Sequence, residues 1–226
     1  VTFGFGEHND LFAADVRCDE TGVRFALNGR REVSVPLLGR HTAANALAAV
    51  AVARRLGLTE DEIVEGLGQA TGPDMRLELK QAGDVYVLND AYNANPNSML
   101  AAIDTLGTFK VGRRKVAVLG DMRELGRSSE RYHRDVGKAV AGQGQVALLA
   151  CVGAQSKAMA EAAVEAGMSP AAVLHFDDAA AAAKAVPALV RPGDVVLVKA
   201  SRGIRLEAVA QAIETFRHGA NVRAAV

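Results

Sequence analysis

The sequence of 226 residues has no tryptophan, only two cysteines, and no apolar run near the ~20 residues that span a bilayer. Both cysteines, Cys18 and Cys151, lie in or beside strand-like apolar runs, and no signal peptide is visible. These features predict reduced core thiols in a cytoplasmic protein. The 26 basic residues are matched by 26 acidic ones. Because nucleic acids and anionic membranes attract basic surfaces, the composition predicts neither as a partner.

Several motifs of catalysis and cofactor binding are also missing. The loop at 120–126 lacks G-x-G-x-x-G, which disfavours a nicotinamide cofactor, and no metal-ligand spacing or G-x-S-x-G elbow is present. No G-x-x-x-x-G-K-[ST] phosphate loop occurs either, since Gly137-Lys138 is followed by Ala139 inside a predicted helix. The chain opens on Val1 without an initiator methionine, and we expect it to be a fragment of a longer protein.

Beyond residue 72, continuous apolar runs alternate with helical patterns. The runs lie at 85–88, 116–119, 146–152, 173–176 and 195–198, and the helical patterns at 97–109, 129–141, 155–166, 178–189 and 204–217. Strands that are apolar throughout are buried on both faces. The pattern therefore predicts a doubly wound, Rossmann-like α/β domain with a mostly parallel sheet.

Residues 1–72 are organised differently. Short β segments are predicted at 16–18, 23–27 and 33–35, followed by an apolar helix at 43–56 and a short helix capped by Thr59 and Glu62. Asn28-Gly29 is a strong hairpin signal. The turn at 71–74 is the best boundary, which predicts two domains, 1–72 and 73–226.

The stretch at 87–99 joins a strand to a helix through a polar loop. The strand ends at Asp90, Asn95 can cap the helix, and Pro96 suits its first position. Open parallel sheets bind nucleotides and anions at this kind of edge. A capped loop that binds nothing explains the same residues. As an acid at a strand end, Asp90 is expected to be replaceable without loss of stability.

Two further loops follow predicted strands and should reach the same edge. Asp121 follows the second strand, while Lys199, Ser201 and Arg202 follow the last strand and lead into the final helix. Cations beside a helix N-terminus suit a carboxylate or a phosphate. Solvated loops are the alternative for each alone, but three such loops on one edge favour a binding site.

Three polar residues lie in predicted helices, and the first helix is otherwise apolar. His41 and Asn45 are one turn apart at the start of the first helix. They could merely satisfy backbone groups, or the Asn45 amide could match the edge of a purine. His133 shares a face with apolar residues, which favours a core histidine over a catalytic one.

Five motifs together resemble one family, the Mur ligases. They are H-x-x-x-N-A-L-A-A from His41, R-L-E from Arg76, N-D-A-Y-N-A-N-P-x-S-M from Asn89, V-L-G-D-M-x-E-L-G from Val118 and V-K-x-S-R from Val198. Two of these motifs resemble those of the branch that adds D-alanyl-D-alanine, namely D-A-Y-N-A-N-P and L-G-D-M-x-E-L-G. The chain departs from the pattern at Thr42, where Asn is usual, and at Ala200, where Gly is usual.

The resemblance implies a three-domain ligase. Residues 1–72 would be the tail of the central ATP-binding domain and residues 73–226 the C-terminal domain. ATP would phosphorylate the carboxylate of UDP-MurNAc-tripeptide, and the amine of D-Ala-D-Ala would displace phosphate. The P-loop lysine, the Mg²⁺ ligands and the UDP-binding domain would lie outside this chain, which is therefore expected to be inactive alone.

The resemblance also implies residue roles. Asn45 would bind the adenine of ATP, Asp90 its ribose and Arg76 its phosphates, and His41 would also belong to the ATP-binding residues. Arg76 and Lys199 would be catalytic, and no residue would bind a metal. The peptide substrate would contact Asn93, Asn95, Asp121, Lys199, Ser201 and Arg202.

Two alternatives remain open. One is a sibling Mur ligase or a folylpolyglutamate synthase, although the loops at 93–95 and 199–202 differ from those of the siblings. The other is a non-catalytic module that binds a nucleotide or peptide and has lost its ATPase half.

Overall fold

The computed structural model describes residues 1–111 and 114–224, with side chains through Arg217. The chain divides into two compact units, Val1–Gly72 and Pro73–Val226. Within the described ranges, no helix combines the length and apolar character needed to cross a membrane.

The first unit is a four-stranded sheet with two helices packed on it. Its elements are β1 (Phe3–Gly4), β2 (Leu11–Asp19), β3 (Gly22–Leu27), β4 (Arg31–Val35), α1 (His41–Arg55) and α2 (Glu60–Gly68). The strands lie in chain order, with β1 parallel to β2 and the other pairs antiparallel. The predicted hairpin at Asn28-Gly29 is confirmed, because both residues have positive φ angles, 50° and 66°.

The second unit contains the remaining strands and helices. They are β5 (Glu78–Ala82), β6 (Val85–Asp90), α3 (Pro96–Thr108), β7 (Arg114–Gly120), α4 (Ser129–Gln143), β8 (Val146–Val152), α5 (Lys157–Glu165), β9 (Val173–Phe176), α6 (Ala179–Leu189), β10 (Asp194–Lys199) and α7 (Glu207–Ala224). The sheet order is β5-β6-β10-β7-β8-β9. All pairs are parallel except β5 with β6. The prediction of a doubly wound, mostly parallel sheet is confirmed.

Strand β5 is the element that the sequence analysis missed. Its sequence, Glu-Leu-Lys-Gln-Ala, is polar and is buried only at Ala82. An edge strand keeps much of its surface in solvent, so it lacks the apolar run by which the other strands were identified. It pairs antiparallel to β6 through the short turn at 83–84.

Apolar side chains cover both faces of this sheet. Val87, Val118 and Val198 belong to a core cluster with α6 and α7. Because side chains alternate along a strand, the buried Leu88, Leu119 and Leu197 point to the opposite face, where α3 and α4 pack.

Strand β10 is last in the chain but lies between β6 and β7. Its terminal residue, Lys199, is in register with Asp90 of β6 and with Leu119 of β7. The carboxyl ends of the three strands are therefore adjacent. This insertion brings the loops after residues 90, 120 and 199 to one edge.

The predicted start of the last helix, at 204, is wrong. Arg202–Ile204 forms a separate 3₁₀ turn, and Arg205 has a left-handed backbone with φ 58°. That conformation interrupts helical geometry, so α7 begins only at Glu207. Ser201 consequently does not cap α7.

Candidate functional site

A buried ion pair lies at the centre of the edge formed by β6, β10 and β7. The ammonium of Lys199 donates to Oδ2 of Asp90 over 2.7 Å and to the carbonyl of Asn93 over 2.9 Å. Lys199 is only 2% exposed and Asp90 8%. A buried charge is tolerated when it is paired and hydrogen-bonded, so each residue stabilises the other.

The second oxygen of Asp90 holds the segment that carries Arg76. Oδ1 of Asp90 accepts from the amide N–H of Leu77 over 3.2 Å. Met75 and Leu77, on either side of Arg76, have left-handed φ angles of 56° and 51°. Non-glycine residues in this region persist only where their surroundings enforce it, and such strain is concentrated at functional sites.

Arg76 is exposed, and its guanidinium lies over the ring of Tyr92 at 4.3 Å from the ring centre. The amide N–H of Tyr92 donates to the carbonyl of Met75 over 3.2 Å. Tyr92 therefore contacts both the side chain of Arg76 and the backbone that precedes it.

The two asparagines of the loop after β6 are both exposed. Oδ1 of Asn95 accepts from the N–H of Ser98, and Ser98 Oγ accepts from the N–H of Asn95, which confirms the predicted cap with Pro96 behind it. Oδ1 of Asn93 accepts from the N–H of Ala94 over 2.8 Å. Both side-chain oxygens thus take part in fixing the loop.

Ser201 joins the three loops of this edge through hydrogen bonds. Its hydroxyl accepts from the N–H of Arg123 over 2.9 Å and donates to the carbonyl of Ala94 over 3.3 Å. Its own N–H donates to the carbonyl of Asp121 over 3.0 Å. At 5% exposure, this serine is part of the internal framework.

Asp121 is also buried, at 7% exposure. Its Oδ1 accepts from the N–H of Ser156, directly before α5, over 2.7 Å. A carboxylate at a helix N-terminus satisfies free backbone donors and complements the helix dipole.

Arg202 is the exposed cation of the last loop, with 55% of its side chain accessible. Its Nη1 donates to Oε1 of Glu207 over 2.9 Å and lies 3.2 Å from the sulfur of Met75. Met75 precedes Arg76 in the chain, so the Arg202 side chain contacts the residue next to Arg76.

His41 and Asn45 belong to the first unit, where both are exposed on α1. In the second unit, the interpretation of His133 as a core residue is confirmed. The His133 ring is fully buried, with Nε2 accepting from the N–H of Met122 over 3.0 Å and Nδ1 2.8 Å from the carbonyl of Ser129. Nε2 therefore holds the loop after β7, while Nδ1 contacts the first turn of α4.

The structure thus connects most of the predicted residues of the second unit in one network. Hydrogen bonds join Asp90, Asn93, Lys199, Ser201 and Asp121, while Arg76 and Arg202 are attached through Met75 and Leu77, the residues on either side of Arg76. The sequence analysis gave no role to Tyr92, although an aromatic residue in an otherwise polar loop was a usable signal. In the described part of the chain, no group of three or more His, Cys, Asp or Glu side chains could hold a metal ion.

Two family descriptions match the chain. The Mur ligase glutamate ligase domain matches residues 75–202, and the Mur ligase middle domain matches residues 1–53. The chain is 35% identical over 210 residues to the UDP-N-acetylmuramoyl-tripeptide–D-alanyl-D-alanine ligase of Bacillus subtilis. That alignment covers 92% of this chain and 46% of the relative, so the chain spans about half the length of that protein.

Solved structures agree with these matches. MurF from Acinetobacter baumannii superposes with a TM-score of 0.82 at 32% identity, over 94% of this chain and 46% of that one. MurF from Thermotoga maritima, solved in complex with ADP, gives 0.80 at 25% identity, over 96% and 48%. The predicted resemblance to the branch that adds D-alanyl-D-alanine is confirmed by these relatives. With more than half of its residues matched by one domain description, the chain belongs to the Mur ligase family.

Proposed function

We propose that this chain is part of a cytoplasmic, ATP-dependent ligase that adds D-Ala-D-Ala to UDP-MurNAc-tripeptide in peptidoglycan precursor synthesis. The observation that carries the proposal is the network at the carboxyl edge of the sheet, in which Asp90 binds Lys199 and the backbone N–H of Leu77, the residue after Arg76. A guanidinium and a carboxylate near the carboxyl ends of parallel strands suit the edge at which doubly wound sheets bind nucleotides, which supports the proposal. The relatives named above support the choice of substrates.

In this proposal, the chain contributes contacts to ATP, which supplies the phosphoryl group for an acyl phosphate. Asp90 accepts the ribose hydroxyls. A carboxylate accepts hydrogen bonds at both of its oxygens, which suits the paired hydroxyls of a ribose. Arg76 offers its planar N–H groups to the phosphates, Asn45 contacts adenine, and His41 is a further ATP-binding residue. We place the protein ligands of the accompanying Mg²⁺ outside this chain.

The dipeptide contacts divide into direct and indirect ones. Arg202 is exposed and binds the terminal carboxylate, and the amide groups of Asn93 and Asn95 line the same loop edge. Lys199, Ser201 and Asp121 are buried and bonded to neighbouring loops, so they act by positioning those loops. This assignment replaces the catalytic role expected for Lys199, since its ammonium is directed at Asp90 and Asn93.

The test is an acceptor-dependence assay on the full-length protein. Phosphate release is measured with ATP and one carboxylate–amine pair at a time: UDP-MurNAc-tripeptide with D-Ala-D-Ala or D-Ala, UDP-MurNAc-L-alanyl-D-glutamate with L-Lys or meso-diaminopimelate, and a folate with L-Glu. We expect release with D-Ala-D-Ala only. Release with one of the other amino acids would identify a sibling ligase or a folylpolyglutamate synthase, and no release with any acceptor would favour a non-catalytic binding module.

A matched assay uses the 226-residue chain itself. Because it contains no phosphate loop, we expect no ATP-dependent phosphate release with any acceptor. Turnover by this chain would contradict its assignment as one part of the ligase.

A further inference from the structure

Tyr92 has an unusual environment for an aromatic residue. It is 43% exposed and does not belong to the buried core. The face of its ring is covered by the Arg76 guanidinium, and its backbone N–H is bonded to the residue before Arg76. Burial in the core therefore does not account for an aromatic side chain at this position.

The way in which Arg76 is held differs from that of most paired arginines in the described part of the chain. Arg114, for example, gives Nε and Nη2 to Asp194, and Arg202 gives Nη1 to Glu207. A ring that covers the face of a guanidinium leaves its N–H groups, which lie in the guanidinium plane, directed outward. This geometry orients the charge and keeps its donors available for an anion.

The backbone around Arg76 is fixed on both sides. The carbonyl of Met75 accepts from Tyr92, and the N–H of Leu77 donates to Asp90. Only the long side chain of Arg76 would otherwise remain mobile, and such a side chain loses considerable rotamer entropy when it binds.

We infer that Tyr92 is a positioning residue that holds the Arg76 guanidinium, through the face of its ring, in the orientation that meets the phosphates of ATP. The inference rests on the proposed role of Arg76. The ring pays part of the ordering cost before the nucleotide binds, as preorganisation does in other sites. The phenol hydroxyl has no part in it, so a phenylalanine serves equally well.

The first measurement uses NMR on the 226-residue chain. The ring current of an aromatic face shifts the Arg76 side-chain protons upfield. We expect this shift in the wild-type chain and in Tyr92→Phe, and its loss in Tyr92→Leu. An unshifted Arg76 in the wild-type chain would overturn the inference, whatever the ligase assay shows.

The second measurement is the kinetics of the full-length ligase. Tyr92→Leu should lower kcat about two- to fivefold, the kinetic equivalent of one cation–π contact at an exposed site, with KM for D-Ala-D-Ala nearly unchanged. Tyr92→Phe should match the wild type. Phe5→Leu is the matched control. Phe5 is 41% exposed, and the guanidinium carbon of Arg40 lies 4.6 Å from the centre of its ring, which is the same kind of contact. It should leave kcat unchanged.

A double variant separates positioning from direct contact with substrate. If Tyr92 acts through Arg76, Tyr92→Leu should add nothing to the loss caused by Arg76→Ala, since residues that act as a unit are not additive. Three results would each overturn the inference. They are a double variant whose loss of kcat is the product of the two single losses, a lowered kcat in Tyr92→Phe, and an unchanged kcat in Tyr92→Leu. A wild-type ligase that does not require D-Ala-D-Ala would instead contradict the proposed function, and the NMR result would still stand.

Discussion

Lys199 and Asp90 are 109 residues apart in the sequence, and their charged groups meet at 2.7 Å between the ends of neighbouring strands. The pair is buried, and Asp90 also binds the backbone at Leu77 while Lys199 binds the backbone at Asn93. One ion pair thus connects the Arg76 segment, the asparagine loop and the last strand. Its removal should affect both stability and function.

The first prediction corrects our expectation that Asp90 could be replaced without loss of stability. Asp90→Ala leaves the Lys199 ammonium buried without its counter-charge, which typically costs about 3–5 kcal/mol. Urea unfolding of the chain should show a loss of this size. The double variant Asp90→Ala/Lys199→Met removes both charges and should be more stable than Asp90→Ala alone. An unchanged midpoint for Asp90→Ala would mean that the pair contributes little to the fold.

The second prediction concerns Gly153, which follows β8 with φ 110°. A Cβ added there would lie 2.5 Å from Cγ of Asp121, whereas one added at Gly167, with φ 103°, would meet nothing within 4 Å. Gly167→Ala should cost about 1–3 kcal/mol for its backbone conformation alone. Gly153→Ala should cost about 1–3 kcal/mol more, the usual penalty of overpacking. Equal losses in thermal unfolding of the two variants would show that Asp121 yields to the added methyl group.

The third prediction tests Arg202 as the ligand of the dipeptide carboxylate. In the full-length ligase, Arg202→Ala should raise KM for D-Ala-D-Ala roughly tenfold to a hundredfold, a loss of one or two decades at about 1.4 kcal/mol each. KM for ATP should change less. Arg131→Ala is the control, because Arg131 is an exposed arginine on α4 that is also paired with an acid. Equal effects on both Michaelis constants would assign Arg202 to another ligand.

The fourth prediction concerns the two thiols. Cys151 is fully buried in β8, and burial raises the pKa of its thiol, while Cys18 is only partly buried and its pKa is raised to a lesser degree. A thiol reagent should therefore modify Cys18 slowly in the folded chain and Cys151 only after unfolding. Mass spectrometry measures the rate of modification at each cysteine. Modification of Cys151 as fast as that of Cys18 would contradict this prediction.

The raised pKa of the Cys151 thiol also predicts how the stability of the folded chain depends on pH. The unfolded Cys151 thiol ionises near its ordinary pKa, whereas the folded one stays protonated, so stability falls as pH rises above that value. Between pH 8.5 and 9.5, the wild-type chain should lose about 1 kcal/mol more unfolding free energy than Cys151→Ala. Parallel pH profiles for the two chains would show that Cys151 ionises equally in both states.

The sequence by itself determined the features that depend on neighbours along the chain. Continuous apolar runs separated by helical patterns predicted the doubly wound sheet, Asn28-Gly29 predicted the hairpin, and Asn95 predicted the cap of α3. In each case the physical cause lies within a few residues, as local burial, a positive φ angle or a local hydrogen bond.

Only the tertiary structure decided which loops meet and which polar groups pair. The insertion of β10 between β6 and β7 aligned Lys199 with Asp90 and made the lysine a buried, paired cation. Strand β5 was not identified because it is a polar edge, and its place depends on pairing with β6. Strand order results from long-range packing of whole elements, so the partner of a side chain at a strand end cannot be derived from the residues around it.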